Sequence, residues 1–159
     1  MCEASLKKII LLLIVCAIGV PTSSMSEELL IPNPEIPPEQ VVYIQVSALQ
    51  NNDLPRLDFG ITQTWNFAHP RNRAATGPLK KFIQMLKGPQ YRKLINHKAH
   101  KISMVTVEGN RAFFVVSIET NEAQIYNFDW ILERVDAGQY DNCWMTISVS
   151  TPYKIEFEA

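Results

Sequence analysis

The chain has 159 residues, 47% of them hydrophobic and 9% aromatic, which is the composition of an ordinary globular protein with room for one domain. Fifteen basic and sixteen acidic residues give a formal net charge of −1, so a protein that binds nucleic acid through a generally basic surface is disfavoured. Ten prolines, six glycines and no repeating period exclude a repeat array or a flexible low-complexity chain.

Residues 1–26 have the order of a secretory signal peptide. Lys7 and Lys8 precede an apolar run from Ile9 to Val20, and small residues follow Pro21. As a helix this run would be about 18 Å long, short of the roughly 30 Å hydrocarbon core of a bilayer. We therefore expect a cleaved signal that directs the chain into the secretory pathway or outside the cell. The alternatives are a membrane anchor formed by the uncleaved apolar segment and a buried N-terminal helix.

Residues 27–38 contain four prolines and three glutamates, which is typical of an extended linker. We expect this linker to lead into a single domain over residues 39–159.

Three helices are predicted in the first half of that domain. The first begins near Glu39, where apolar residues start to recur at helical spacing, and ends at Asn51. The second follows Asp58, a good N-cap residue, and ends before Pro70.

The third predicted helix has the clearest pattern. Pro78 stands at its first turn and Gly88 closes it. Four apolar residues fall on one face, which we expect to pack on a sheet: Leu79, Phe82, Ile83 and Leu86.

From Leu94 the apolar period changes to two, which predicts a mainly antiparallel sheet of four or five strands with a hairpin turn at Gly109 and Asn110. The third strand places four large residues on one face: Tyr126, Phe128, Trp130 and Leu132. The last strand does the same with Cys143, Met145, Ile147 and Val149. Helices followed by antiparallel strands predict an α+β fold, with three N-terminal helices packed on one face of a curved sheet.

A series of short motifs also carries a family resemblance. They are Leu49-Gln50-Asn51-Asn52-Asp53, Asp58-Phe59-Gly60-Ile61, Trp65-Asn66-Phe67-Ala68, Gly77-Pro78-Leu79, Phe82-Ile83, Tyr91, residues 94–98 and Cys143-Trp144-Met145-Thr146. Over roughly residues 40–150 they resemble an uncharacterised domain family of photosynthetic organisms, which is similar to the nuclear-transport-factor-2-like superfamily. The resemblance implies a cone-shaped α+β fold with a pocket between helices and sheet. Because such cones serve as enzymes, ligand carriers and dimerisation modules, the fold alone does not choose a function.

Five aromatic residues are candidates for the lining of such a pocket: Trp65, Phe82, Tyr126, Phe128 and Trp130. Aromatic packing in the core is the simpler interpretation. The alternative is a mostly hydrophobic site for a small apolar ligand.

Signals for catalysis or metal binding are weak. Side-chain alternation places Asp129 opposite the aromatic face of its strand, which favours a surface or dimer-interface residue over a catalytic base. His97 and His100 would point to opposite faces of a strand, and lysines next to them would repel a cation. Cys143, the one cysteine after the leader, is expected to be a small core residue. We predict no metal and no cofactor.

Charge is strongly segregated along the chain. Residues 71–101 contain nine basic residues and no acid, whereas the flanking segments are acidic. Either the fold brings the basic segment against the acidic strands, or it leaves an exposed patch for an anionic partner, which would be a phosphorylated ligand, an acidic protein or an anionic lipid surface. The candidate patch consists of Arg71, Arg73, Lys80, Lys81 and Lys87.

Two functional hypotheses follow. The first is a non-enzymatic domain that binds a small ligand or a protein in an extracytoplasmic compartment, with a homodimer through the outer sheet face as one arrangement. The second is a small lyase or isomerase that uses the cone pocket. A secretory leader is a further reason not to expect nucleic acid as a partner.

Overall fold

The structure, a computed structural model, describes residues 28–155. The predicted leader lies outside the described residues. None of the helices within 28–155 has both the length and the hydropathy needed to cross a membrane.

Four α-helices come before the strands in the described chain. They are α1 (Pro38–Gln50), α2 (Phe59–Asn66), α3 (Pro70–Thr76) and α4 (Leu79–Lys87), followed by a short 3-10 helix at Arg92–Leu94. The predicted number of three helices is wrong, because a short helix, α3, forms between the second and third predicted helices. Helix α2 ends at Asn66, and Pro70 stands at the first position of α3, where the fixed φ of proline suits a helix. Since α3 buries none of its residues, it has no apolar periodicity that could reveal it.

Four strands form one antiparallel sheet in the order β1-β2-β3-β4. They are β1 (Ala99–Glu108), β2 (Arg111–Glu119), β3 (Ile125–Arg134) and β4 (Trp144–Val149). The α+β class and the antiparallel sheet are therefore confirmed. The hairpin between β1 and β2 turns at Gly109, whose φ of 59° lies in the left-handed region that glycine adopts without strain.

The core lies between the helices and one face of the sheet. Along β2 every second residue is buried, and the same face of β3 continues the layer. The sheet contributes Ala112, Phe114, Val116, Ile118, Phe128, Trp130 and Leu132, and α1 and α2 contribute Val41, Val42, Val46, Leu49 and Ile61. In α4, Phe82 and Leu86 are buried as predicted, while Leu79 and Ile83 are half-buried.

A close approach at Gly60 fixes the angle between α1 and α2. A Cβ at Gly60 would lie 2.1 Å from the carbonyl oxygen of Ala48, so only glycine fits without moving a helix. The buried Asn52 caps the beginning of α2, because its side-chain oxygen accepts from the Ile61 N–H at 3.0 Å. In the same interface between α1 and α2, the side-chain amide of Gln45 donates to the Thr64 carbonyl at 3.1 Å.

Cys143 is a small core residue, as predicted. It is buried in a minor cluster with Val135 and Met145, against which Tyr140 packs. Burial raises the pKa of the Cys143 thiol, with a smaller contribution from the charge of Asp141. The neutral thiol is therefore favoured at this position.

Candidate functional site

A cavity of about 410 Å³ lies between the helices and the sheet. This volume falls within the range of roughly 300–1,000 Å³ that is typical of small-molecule sites. Its walls are mainly apolar, and they come from all four helices, the segment after α4, and strands β3 and β4. The larger apolar residues in the lining are Leu49, Phe82, Met85, Leu86, Leu94, Trp130 and Val149.

Three buried polar side chains interact on the lining of this cavity. The side-chain oxygen of Gln45, Oε1, accepts from the Trp130 indole N–H at 3.1 Å and from the Thr146 hydroxyl at 2.6 Å. The indole N–H also lies 3.0 Å from the Thr146 oxygen, and the Gln45 amide donates to the Thr64 carbonyl at 3.1 Å. The polar groups of this cluster are thus satisfied by one another and by the backbone, which is what burial requires. We call Gln45, Trp130 and Thr146 the polar floor.

Helix α3 brings one cation to the cavity. Arg71 lines it and forms an ion pair with Glu133 of β3, while its own side chain is 62% exposed. Glu133 is buried and also accepts from the Arg111 Nε at 2.7 Å. Burial opposes ionisation of Glu133, but the hydrogen bonds and charges of Arg111 and Arg71 outweigh it and lower the pKa of this carboxyl below its usual value.

Backbone contacts hold α3 in this place. The His69 N–H donates to the Thr146 carbonyl at 2.8 Å, and the Asn72 amide donates to the same oxygen at 3.1 Å. The Thr146 N–H donates in turn to the Phe67 carbonyl at 2.8 Å. The chain between α2 and α3 therefore pairs with β4, so that Arg71 is fixed at the cavity and not carried by a free loop.

The five predicted pocket aromatics do not come together. Phe82 and Trp130 line the cavity, and Trp65 packs on Phe82 with ring centroids 5.0 Å apart but is not part of the lining. Phe128 is buried in the core, and Tyr126 lies elsewhere, with the ammonium groups of two lysines over its ring. Ligand binding by any of the five stays a prediction.

Sequence reasoning named Trp130 as a pocket residue but missed Gln45 and Thr146, and it did not place Arg71 at the cavity. One signal could have indicated Gln45: it is a polar residue within the apolar face of the first helix, between Val42 and Val46. Its partners Trp130 and Thr146 stand 85 and 101 residues away, so no local pattern reveals the contact.

Three of the five residues of the predicted basic patch are engaged within the chain. Arg71 pairs with Glu133, and the Lys87 ammonium lies 2.7 Å from an oxygen of Asp58. The Arg73 guanidinium lies 5.4 Å from the Trp65 ring centroid and donates to the Asn66 carbonyl. Lys80 and Lys81 are exposed on α4, and neither forms an ion pair within residues 28–155. An anionic partner stays a prediction.

His97 and His100 are in contact, so the expectation that they point to opposite faces is wrong. His97 precedes β1 and follows Asn96, whose φ of 51° turns the chain before the strand begins. The His97 Nδ1 lies 2.8 Å from the Leu94 carbonyl and carries the proton in the neutral ring, and in that form the His97 Nε2 accepts from the His100 Nδ1 at 2.8 Å. Burial lowers the pKa of both histidines. Within the described chain, no group of three or more acidic, histidine or cysteine side chains could hold a metal.

Asp129 lies on the exposed outer face of β3, away from the cavity. Its carboxylate accepts from the Tyr153 hydroxyl at 2.8 Å. Burial, together with that hydrogen bond and the Asp129 charge, raises the pKa of Tyr153. Asp129 therefore has a surface position and takes no part in the cavity.

No family model, curated protein or solved structure matches this chain, so its site is interpreted from its own residues and the family resemblance stays a prediction. Among the described residues that line the cavity, Arg71 is the charged one and Tyr91 is the one with a phenolic hydroxyl. The Tyr91 hydroxyl donates to the Val149 carbonyl at 3.2 Å. The arrangement can hold a molecule, but its lining has no neighbouring acid and base of the kind that proton transfer needs.

Proposed function

We propose that this domain binds a small, largely apolar ligand in the cavity between its helices and its sheet and is not an enzyme. The observation that carries the proposal is an apolar cavity of about 410 Å³ whose buried polar groups are already hydrogen-bonded. A ligand that enters such a site can bury hydrocarbon without leaving a buried donor or acceptor unpaired. Each buried methylene group contributes about 0.8 kcal/mol in that case.

The architecture supports the further proposal of a cone-type fold similar to the nuclear-transport-factor-2-like superfamily. Helices cover one face of an antiparallel sheet, and the cavity lies between the two layers. That is the position in which a cone fold is expected to hold its ligand. The proposal concerns the fold family and does not by itself choose a ligand.

The chemistry of the lining favours binding over the alternative of a lyase or isomerase. Such an enzyme needs a base within hydrogen-bond reach of the proton that it removes. Arg71 cannot act as a base at neutral pH, and Tyr91 donates its proton to a backbone carbonyl. The histidine pair, which could supply a base, lines other grooves than this one.

We also propose that the protein works outside the cytoplasm after residues 1–26 have been removed. The order of Lys7, Lys8, the apolar run and the small residues supports this. Intact-mass measurement on protein from its native source tests it. A mature chain that begins near residue 24 to 27 is expected, and a chain that still begins at Met1 or Cys2 would contradict cleavage.

Association with an anionic protein or lipid surface through Lys80 and Lys81, and a homodimer through the outer sheet face, remain secondary proposals. The exposure of both lysines on α4 supports the first.

The experiment that tests the main proposal is titration with N-phenyl-1-naphthylamine, a neutral apolar probe that fluoresces when it leaves water. Wild-type protein should bind it saturably. Ala75→Phe should weaken binding, because Ala75 lines the cavity from an exposed position on α3 where a larger side chain need not disturb the fold. Ala74→Phe is the matched control, since Ala74 is exposed on the same helix but does not line the cavity. Equal binding to both variants, or no saturable binding, would contradict the proposal.

A further inference from the structure

Each polar side-chain atom of the polar floor already has a hydrogen-bond partner within the chain, which leaves little capacity for the deep end of a ligand. The Trp130 N–H and the Thr146 hydroxyl are both directed to the Gln45 oxygen, and the Gln45 amide is held by the Thr64 carbonyl. A polar group placed against this floor would have to compete with these bonds, and it would cost roughly 1–3 kcal/mol if it remained buried and unpaired. The part of the ligand that lies deepest is therefore apolar.

Where Arg71 lines the cavity, by contrast, the site favours a charged group of the ligand. Arg71 and Arg111 share the single carboxylate of Glu133, so the three side chains together carry one excess positive charge. The Arg71 side chain is also more exposed than that of Arg111, at 62% against 50%. An anion that reaches this point from inside the cavity meets a cation that is only partly neutralised.

Arg111 makes it feasible for Arg71 to leave Glu133 and bind a ligand. Glu133 is buried. If Arg71 were its only charged partner, the loss of Arg71 would leave an unpaired buried charge, which is strongly unfavourable. Because the Arg111 Nε holds the Oε2 atom of Glu133 at 2.7 Å, Arg71 can turn to a ligand while the carboxylate keeps a charged partner. Arg111 does not line the cavity and remains with Glu133.

We propose that the ligand is an amphiphilic carboxylate, bound with its hydrocarbon tail against the polar floor and its head group on Arg71. This inference rests on the proposed function and adds the class of ligand and its direction in the site. One negative charge matches the single excess positive charge of the cluster. The planar guanidinium presents the paired donors that a carboxylate accepts.

Displacement of N-phenyl-1-naphthylamine by three ten-carbon probes, each used below its micelle concentration, tests the inference. The probes are decanoate, decanol and decylammonium, which share a tail and differ in the charge of the head. Decanoate should displace the reporter at the lowest concentration and decylammonium at the highest. Arg71→Gln should lower the affinity for decanoate by about tenfold to a hundredfold, as expected for loss of a hydrogen bond to a charged group. It should change the affinity for decanol by less than about twofold.

Two further variants make the result specific to Arg71. Arg71→Lys should recover part of the decanoate affinity, because it restores the charge without the planar fork. Lys101→Gln is the control for net charge, since Lys101 is exposed on β1 and does not line the cavity, and it should leave both ligands unchanged. Decanol binding by each variant shows that the cavity is still formed.

The outcomes separate the two claims. If decanol and decanoate bind equally well, or if Arg71→Gln lowers both affinities alike, the inference of an anionic head group is wrong. The proposal of an apolar binding site then still stands. If none of the three displaces the reporter and the reporter itself does not bind saturably, the proposed function is wrong as well.

Discussion

At the scale of single residues, Gln45 organises the cavity. It is 1% exposed, and its side chain joins α1 to α2 through Thr64 and to the sheet through Trp130 and Thr146. Burial of an amide is costly unless its donors and acceptors are satisfied, and here the partners come from three elements. The residue therefore helps to hold the helices at the distance from the sheet that leaves the cavity open.

Gln45→Met should destabilise the protein by about 1–3 kcal/mol, because the thioether keeps the volume but leaves the Thr146 hydroxyl without its acceptor and the Trp130 N–H with the Thr146 oxygen alone. Urea unfolding measures this difference in free energy. Gln40→Met is the matched control, since Gln40 is exposed on the same helix and should change stability by less than about 0.5 kcal/mol. Equal effects of the two substitutions would show that the polar floor contributes nothing.

The burial of His97 and His100 predicts a dependence of stability on pH. Burial places the pKa of each below the ordinary value of 6.5, so the unfolded chain takes up protons before the folded one does. The stabilisation is complete above pH 6.5 and is lost as the pH falls through the lowered folded-state pKa values. The loss is at most about 1.4 kcal/mol per pH unit for each histidine.

Unfolding by urea, measured from about pH 7.5 to about pH 5, checks this expectation. The double variant His97→Gln/His100→Gln should flatten the dependence in that range, with the remainder due to His69, whose pKa is also lowered by burial and by the Arg71 charge. A double variant as steep as the wild type would contradict the assignment.

At the scale of secondary-structure elements, hydrophobic periodicity predicted the amphipathic helices and strands and failed for elements without an apolar face. Strand β2 alternates strictly between buried and half-buried or exposed residues, and α4 buries Phe82 and Leu86, so both were predictable. Helix α3 has no buried residue and begins at a proline, and it was missed. The meeting of His97 and His100 was missed too, because it depends on a left-handed residue that precedes the strand.

Phe82→Ala tests the packing of α4. Phe82 is 5% exposed, and truncation should cost about 3–5 kcal/mol through lost burial and an enlarged cavity. Denaturant unfolding gives the value, and Lys80→Ala on the exposed side of the same helix should cost less than about 0.5 kcal/mol. A loss under about 1 kcal/mol for Phe82→Ala would place this face outside the core.

At the scale of the whole molecule, the segregated charges partly neutralise one another. Ion pairs join the basic segment to acids on both sides of it: Arg71 to Glu133, Lys87 to Asp58 and Lys98 to Glu119. The first two pairs span 62 and 29 residues, so local spacing rules cannot predict them. The same long-range folding creates the cavity, whose lining extends from Gln45 to Val149 and could not be assembled from the sequence.

The central claim is that the cavity admits an apolar ligand down to its polar floor, and Trp130 reports on this directly. In the variant Trp65→Phe/Trp144→Phe, Trp130 is the remaining tryptophan of the three in the chain, and it lines the cavity whereas the other two do not. Titration with 10-bromodecan-1-ol, whose bromine quenches only a fluorophore that it approaches closely, should quench Trp130 saturably. The same titration after adding Ala75→Phe should give much weaker quenching. Fluorescence that falls only in proportion to concentration, or equally in both proteins, would contradict the account.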